Sequence, residues 1–295
     1  MKKMLSLAVC LMLSGLFQSL FSYELAVISM FRNCAPYLKE WVEYHRMVGV
    51  DHFWLYNDES TDNWEEVLKP YIDEGLVEVY YWPAGKPWWV NEQLTAYADG
   101  VRRAMGNTTW VALMDQDEFL LPMMDKTVTE CLKNHFSDAS AIYISWRNFG
   151  TSGVTLAEGE PMLFRLTACS LRDHPRNWCG KSIFRPEVAD LDQLWSPHFC
   201  ALKLGFNYVD GDGNATLTAE GSDLKPQAKH HSKYIRINHY ALRDENYYHN
   251  YRVPRDPEPW VISALYDAYN KDKDYIIIEL IKNKHPEMYK KIWKK

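Results

Sequence analysis

The sequence has no surplus of positive charge. Its 33 Lys and Arg are outnumbered by 39 Asp and Glu, a net charge of −6, so no basic field exists to recruit nucleic acid. It has no Cys-x-x-Cys pair and no Cys/His spacing of the zinc-binding kind, which leaves its cysteines without a metal reading, and their pairing is not deducible from sequence. It has no internal repeat or low-complexity segment either. With 47% hydrophobic and 24% charged residues it is a globular mixture and not a disordered chain.

Aromatic residues are abundant. The 12 Trp and 19 Tyr exceed the ordinary needs of a core of this size, and such rings cover the apolar faces of sugars as well as core and interface surfaces. At the N-terminus, Lys2 and Lys3 precede an almost unbroken apolar run to Phe21, with Ser19 and Ser22 as small residues before Tyr23. Residues 1–22 thus read as an export signal or an uncleaved anchor, making the protein exported or membrane-associated. Cys34, Cys131, Cys169, Cys179 and Cys200 follow the signal.

From residue 24 onward the pattern alternates strands and helices. Residues 25–30 form a strand-length apolar run, and Pro36 opens a helix in which Leu38, Trp41, Val42, His45 and Val48 recur at helical spacing, down to Gly49. Residues 52–56 read as a second strand, and Asp62 or Asn63 as the cap of a helix ending near Tyr71. Residues 77–82 are a third strand, and Leu94, Tyr97, Val101 and Met105 mark another helix. Residues 110–114 are apolar on both faces, as in a buried central parallel strand. This predicts an α/β fold, a Rossmann-like, mostly parallel sheet flanked by helices. Strands are expected at residues 141–146 and 234–240, with a helical C-terminal part at 256–295. A donor half (about 23–145) and an acceptor half (about 146–255) are expected within one unit.

The strongest feature is Asp115-Gln116-Asp117-Glu118, directly after the buried strand. Its carboxylates emerge at the C-terminal sheet edge, where open α/β sheets bind ligands. Three acids in four residues repel one another unless a cation neutralises them, and hard oxygen ligands suit Mn²⁺ or Mg²⁺ holding a diphosphate; a solvated acidic turn is the plainer reading. At the same edge, Asp58 can accept from a base or ribose and Arg32 can grip phosphate, although capping and surface pairing explain such residues equally well. His239 closes a downstream strand and can complete a carboxylate metal site, with His230 and His231 close by as competing candidates.

In order along the chain, the string runs Arg32-Asn33, Tyr37 to His45, Gly49 to Phe53, Asn57 to Asn63, Val67 to Tyr71, Gln93 and Trp110 to Pro122. It goes on with Trp146 to Gly153, Lys181-Ser182-Ile183, His198 and Asn238-His239-Tyr240. The string resembles the family 92 glycosyltransferases (domain of unknown function 23) and related family 2-like domains over about residues 24–255. The resemblance implies a GT-A-type fold, a nucleotide-diphosphate-sugar donor (a UDP-sugar), a carbohydrate acceptor, and transfer of galactose with inversion. It implies a divalent metal at Asp117 with Asp115 nearby, His239 as a further ligand, and Arg32, Asn33, Asp58, Gln93, Asp115 and Lys181 around the donor. Cys34 departs from the family, which usually carries Glu there.

Asp117 belongs to the expected catalytic set, with Asp212 and Glu158 as candidates for the carboxylate that takes the acceptor proton. Glu160 is a further acid of the acceptor half, and Lys181 and Arg185 can neutralise phosphate. Residues 149–153 are expected to form a tight loop where backbone approaches ligand. Two rivals stand beside this reading. One is an exported carbohydrate-binding protein on an inactive scaffold, and the intact acidic motif speaks against it. The other is a metal-dependent phosphohydrolase, for which further acidic or histidine ligands are lacking.

Overall fold

In the computed structural model, the apolar run after Tyr23 forms strand β1 (Tyr23–Phe31), and Pro36 lies in the first turn of helix α1 (Ala35–Met47). Strand β2 (His52–Asn57), helix α2 (Trp64–Asp73), strand β3 (Val77–Tyr81), helix α3 (Val90–Ala104) and strand β4 (Thr108–Leu113) follow in the expected alternation. The structure describes residues 23–83, 90–157, 159–193, 196–216, 232–255 and 258–294. The expected leader, Glu158, His230 and His231 lie outside them.

β1 pairs in parallel with β2 and β4, and β2 with β3. Successive residues of a strand face opposite sides, and here both sides are covered. Leu25 and Val27 of β1 and Phe53 and Leu55 of β2 share one core with Leu38, Trp41 and Val42 of α1. Ala26, Ile28, Trp54 and Tyr56 share another with Ala96, Tyr97 and Val101 of α3. α3 packs so closely that a Cβ on Gly100 would fall 2.7 Å from Ile28 Cγ2.

Beyond β4 the sheet is mixed. Strands β5 (Glu118–Pro122), β6 (Ala141–Asn148), β8 (Gly180–Phe184), β9 (Tyr208–Asp210) and β10 (Ile235–His239) complete nine strands among the described residues. They run in the order β3-β2-β1-β4-β8-β6-β10-β5, with β9 beside β6. β8 is antiparallel to β4 and β6, and β5 to β10, while β10 and β9 run parallel to β6. β6 crosses residue 145, so one sheet carries both expected halves. Strands β7 (Ala168–Cys169) and β11 (Asp272–Lys273) form a small second sheet. Helix α4 (Val128–His135) starts in a Thr127/Glu130 capping box, and α5 (Pro259–Tyr269) and α6 (Ile276–Lys284) supply the helical C-terminal part. No helix among the described residues is long and apolar enough to cross a membrane.

Three local expectations change. Glu118 is the first residue of β5 and not part of a free acidic turn. Asp62 does not cap α2; its carboxylate accepts from Ala35 N at 2.8 Å, which serves the start of α1 instead, and Asn63 makes no side-chain cap. The loop after β6 is tight, but against protein: a Cβ on Gly150 would lie 2.5 Å from Asn270 Oδ1 and 2.6 Å from Tyr269 O. Asn270 Oδ1 also accepts from Ser152 N, so the C-terminal part, not a ligand, occupies the space that glycine opens.

Candidate active site

Asp115 follows the C-terminal end of β4, His239 ends β10, Asn148 ends β6, and Lys181 enters from β8 between them. The acidic turn is ordered by its own side chains. Glu118 Oε2 accepts from Asp115 N at 2.8 Å, and Gln116 Nε2 reaches back to Met30 O at 3.0 Å. Glu118 is fully buried, and burial, reinforced by Asp115 and Asp117, raises its pKa well above the usual carboxylate range in spite of Lys181.

Asp115 is held by protein donors on both oxygens. Lys181 Nζ lies 2.8 Å from Oδ2, and Gln93 Nε2 and Tyr97 OH each lie 3.2 Å from Oδ1. Burial opposes the Asp115 charge, but the Lys181 ammonium overrides it and lowers the pKa. Like-charge repulsion in this turn is therefore eased within the protein, by the Lys181 ammonium and by burial that favours the neutral form of Glu118. Lys181 also donates to Pro197 O at 3.0 Å.

Asp117 is differently placed. Its Oδ1 lies 3.8 Å from His239 Nε2. His239 Nδ1 lies 2.9 Å from Asn148 Oδ1; an amide oxygen only accepts, so Nδ1 carries the proton and Nε2 presents its lone pair toward Asp117. Burial lowers the His239 pKa to about 4, against the pull of Asp117 and Asp115, so the ring is neutral at neutral pH. Trp146 lies against both His239 (ring centroids 4.1 Å apart) and His198 (5.2 Å), and His198 Nδ1 is fixed 2.9 Å from Gly180 O.

No group of three or more His, Cys, Asp or Glu side chains among the described residues forms a metal shell. The Asp117–His239 pair nonetheless fits a hard divalent cation of the Mn²⁺ or Mg²⁺ kind, which takes few protein ligands and fills its other positions with phosphate oxygens and water. A histidine whose second nitrogen is tied by Asn148 is the usual form of such a ligand.

The other expected residues are placed as follows. Arg32 lies 3.5 Å from Asp58 and 3.9 Å from Glu59, so phosphate gripping and base recognition would compete with this pair. Asn33, in the left-handed region at φ 50°, braces the same turn by accepting from Thr61 N at 2.8 Å. Gln93 joins the site through Asp115. Asp212 accepts from Lys233 N at 2.6 Å in the turn after β9. Glu160 pairs with Arg165. Arg185 lies over the Trp110 ring at 4.3 Å and donates to Ala139 O at 3.2 Å. Cys34, Cys131, Cys169, Cys179 and Cys200 are free thiols.

Sequence reading gave no role to Tyr97, Trp146, Asn148 or Arg243. Tyr97 was legible only as part of a helical stripe, and Trp146 and Asn148 only within a matching string. Arg243 carried no signal. It lies in the turn that β10 feeds, at φ 48°, with its guanidinium 4.0 Å from the Tyr37 ring and 4.4 Å from the Tyr247 ring.

A glycosyltransferase family 92 protein of Ricinus communis is 29% identical over 194 residues, covering 64% of this chain and 34% of the relative. One of Oryza sativa subsp. japonica is 31% identical over 193 residues, covering 64% and 31%. The chain thus spans about a third of the length of the curated relatives it matches. Among solved structures, S. aureus TarS 1–349 aligns at TM-score 0.38 and 14% identity over 59% of this chain and 52% of that one. The profile of glycosyltransferase family 92 matches residues 28–214, more than half of the sequence, and this chain belongs to that family.

Proposed function

We propose that the chain is a metal-dependent glycosyltransferase that moves a sugar, galactose by family resemblance, from a nucleotide-diphosphate donor to a glycan acceptor with inversion. The observation that carries this reading is the Asp117–His239 pair, 3.8 Å apart, at the C-terminal sheet edge with its histidine tautomer fixed by Asn148. A divalent ion bound there would offset the charge that develops on a departing nucleoside diphosphate.

The protein's own residues prepare that chemistry. Asp117 offers carboxylate oxygens that Lys181 does not claim. Asn148 keeps His239 Nε2 deprotonated and aimed. Gln93, Tyr97 and Lys181 hold Asp115 in place by contacts to both of its carboxylate oxygens. Asp212 and Glu158 remain the proposed carboxylates for the acceptor proton.

The test is a screen of nucleotide sugars with Mn²⁺, scoring transfer and release of nucleoside diphosphate. Activity should need the divalent ion and be abolished in Asp117→Ala. In Asn148→Ala it should fall about 10–100-fold, the usual cost of losing the partner that orients a metal ligand. If no nucleotide sugar is bound or turned over by the folded wild type, or Asp117→Ala keeps full activity, the reading is wrong.

A further inference from the structure

Four Lys or Arg side chains are buried among the described residues: Arg147, Lys181, Arg236 and Arg243. Three face a carboxylate. Lys181 lies 2.8 Å from Asp115, Arg147 2.9 Å from Asp272 and Arg236 2.8 Å from Asp274. Arg243, only 5% exposed, has no carboxylate within 4 Å among the described residues. Its polar neighbour is the thiol of Cys34, with Sγ 3.8 Å from Nη2, and its Nε is buried without a hydrogen-bond partner. The two tyrosine rings stabilise a cation, and Tyr37 also shares a side-chain hydrogen bond with Arg243, but neither supplies an anion.

A buried, charged guanidinium without an anion is unfavourable unless something outside the protein supplies one. Its position says what that anion is. Arg243 sits beside Cys34 at the start of α1, and Cys34 Sγ is 3.8 Å from Gln116 Oε1 in the acidic turn. Asp117 is close enough to favour the charge on Arg243. An oxyanion paired with Arg243 would therefore lie on the Asp117 side of the acidic turn. A planar guanidinium fork matches phosphate oxygens in a way an ammonium does not.

We infer that Arg243 is an anion seat of this chain, left open because residue 34 is a cysteine, and that it takes the diphosphate of the donor beside Asp117. This rests on the glycosyltransferase reading and adds to it a binding residue and a reason for Cys34.

The test measures calorimetric affinities of pyrophosphate, UDP and uridine with Mg²⁺ present, on variants shown to be folded by circular dichroism. Arg243→Gln should weaken pyrophosphate and UDP at least tenfold and leave uridine unchanged, with Arg243→Lys in between. Cys34→Glu, which gives Arg243 an internal carboxylate, should weaken the same two ligands, whereas Cys34→Ser should bind as wild type does. This pair tests the idea without removing the arginine, should Arg243→Gln fail to fold. UDP and pyrophosphate affinities within twofold of wild type in the folded variants would overturn the inference, as would a wild type that binds neither anion. If pyrophosphate binding needs Arg243 but UDP binds no better than pyrophosphate, the seat stands and the nucleotide-donor reading fails.

Discussion

Lys181 shows how one buried charge organises the acidic turn. Its ammonium is 2.8 Å from Asp115 and 4.0 Å from Glu118; burial opposes the charge, yet these carboxylates hold its pKa above the ordinary value. Lys181→Met should take from Asp115, whose side chain is 35% exposed, its only cationic partner within 4 Å among the described residues and cost roughly 1–3 kcal/mol. Glu118→Gln should cost within about 1 kcal/mol, because burial already favours the neutral form of Glu118 and an amide oxygen can still accept from Asp115 N. Urea denaturation of both variants checks this, and equal losses would show that Glu118 is charged. The acidic string was legible as a site because it follows an all-apolar strand. How its charges are shared out was not, since Lys181 arrives from a strand 66 residues downstream of Asp115, and sequence spacing carries no trace of that contact.

Helix α1 shows the same limit at the scale of elements. Its apolar stripe was readable from Leu38, Trp41, Val42, His45 and Val48, but the polar ends of those side chains have a second task. β5 is the last strand of the sheet, so its outer edge would leave backbone groups without partners. Trp41 Nε1 donates to Glu118 O at 2.9 Å, Tyr44 OH donates to Leu120 O at 2.7 Å, and His45 Nε2 accepts from Leu120 N at 3.3 Å. His45 Nδ1 donates to Trp41 O at 2.8 Å, which fixes the tautomer. β5 was missed because three side chains of a helix, not a second strand, complete its hydrogen bonding. Burial lowers the His45 pKa to about 4, below its unfolded value near 6.5. Its contribution is therefore full above about pH 6.5 and is lost as pH falls through about 4, amounting to roughly 3 kcal/mol. His45→Leu should flatten the stability profile across that window and cost about 1–3 kcal/mol at pH 7 through the orphaned Leu120 N–H. An acid slope as steep as that of the wild type would show that other groups govern it.

At the scale of the whole molecule, the family match ends at residue 214, yet the core does not. Ile277, Ile278, Leu280 and Ile281 of α6 belong to the same cluster as Trp41 and Phe119. Trp293 Nε1 donates to Glu40 at 2.7 Å, and the backbone N–H of Met162 donates to the other oxygen of that carboxylate at 2.8 Å. Asp272 and Asp274 are the partners of the buried Arg147 and Arg236, residues of the strands β6 and β10 that position Asn148 and His239. A chain cut after residue 255 would leave both arginines uncompensated, at roughly 3–5 kcal/mol each. It would also remove the isoleucines of α6 and uncover the core they pack against, a loss of about 1.5–3 kcal/mol for each buried side chain. Together these reach the whole margin of a typical domain, about 5–15 kcal/mol. The truncated chain should therefore be insoluble or lack a cooperative melt, and so bind neither metal nor nucleotide. Circular dichroism and thermal scans of the purified fragment decide it. A fragment that melts cooperatively near the full-length temperature would mean that residues 256–295 decorate the fold and do not build it.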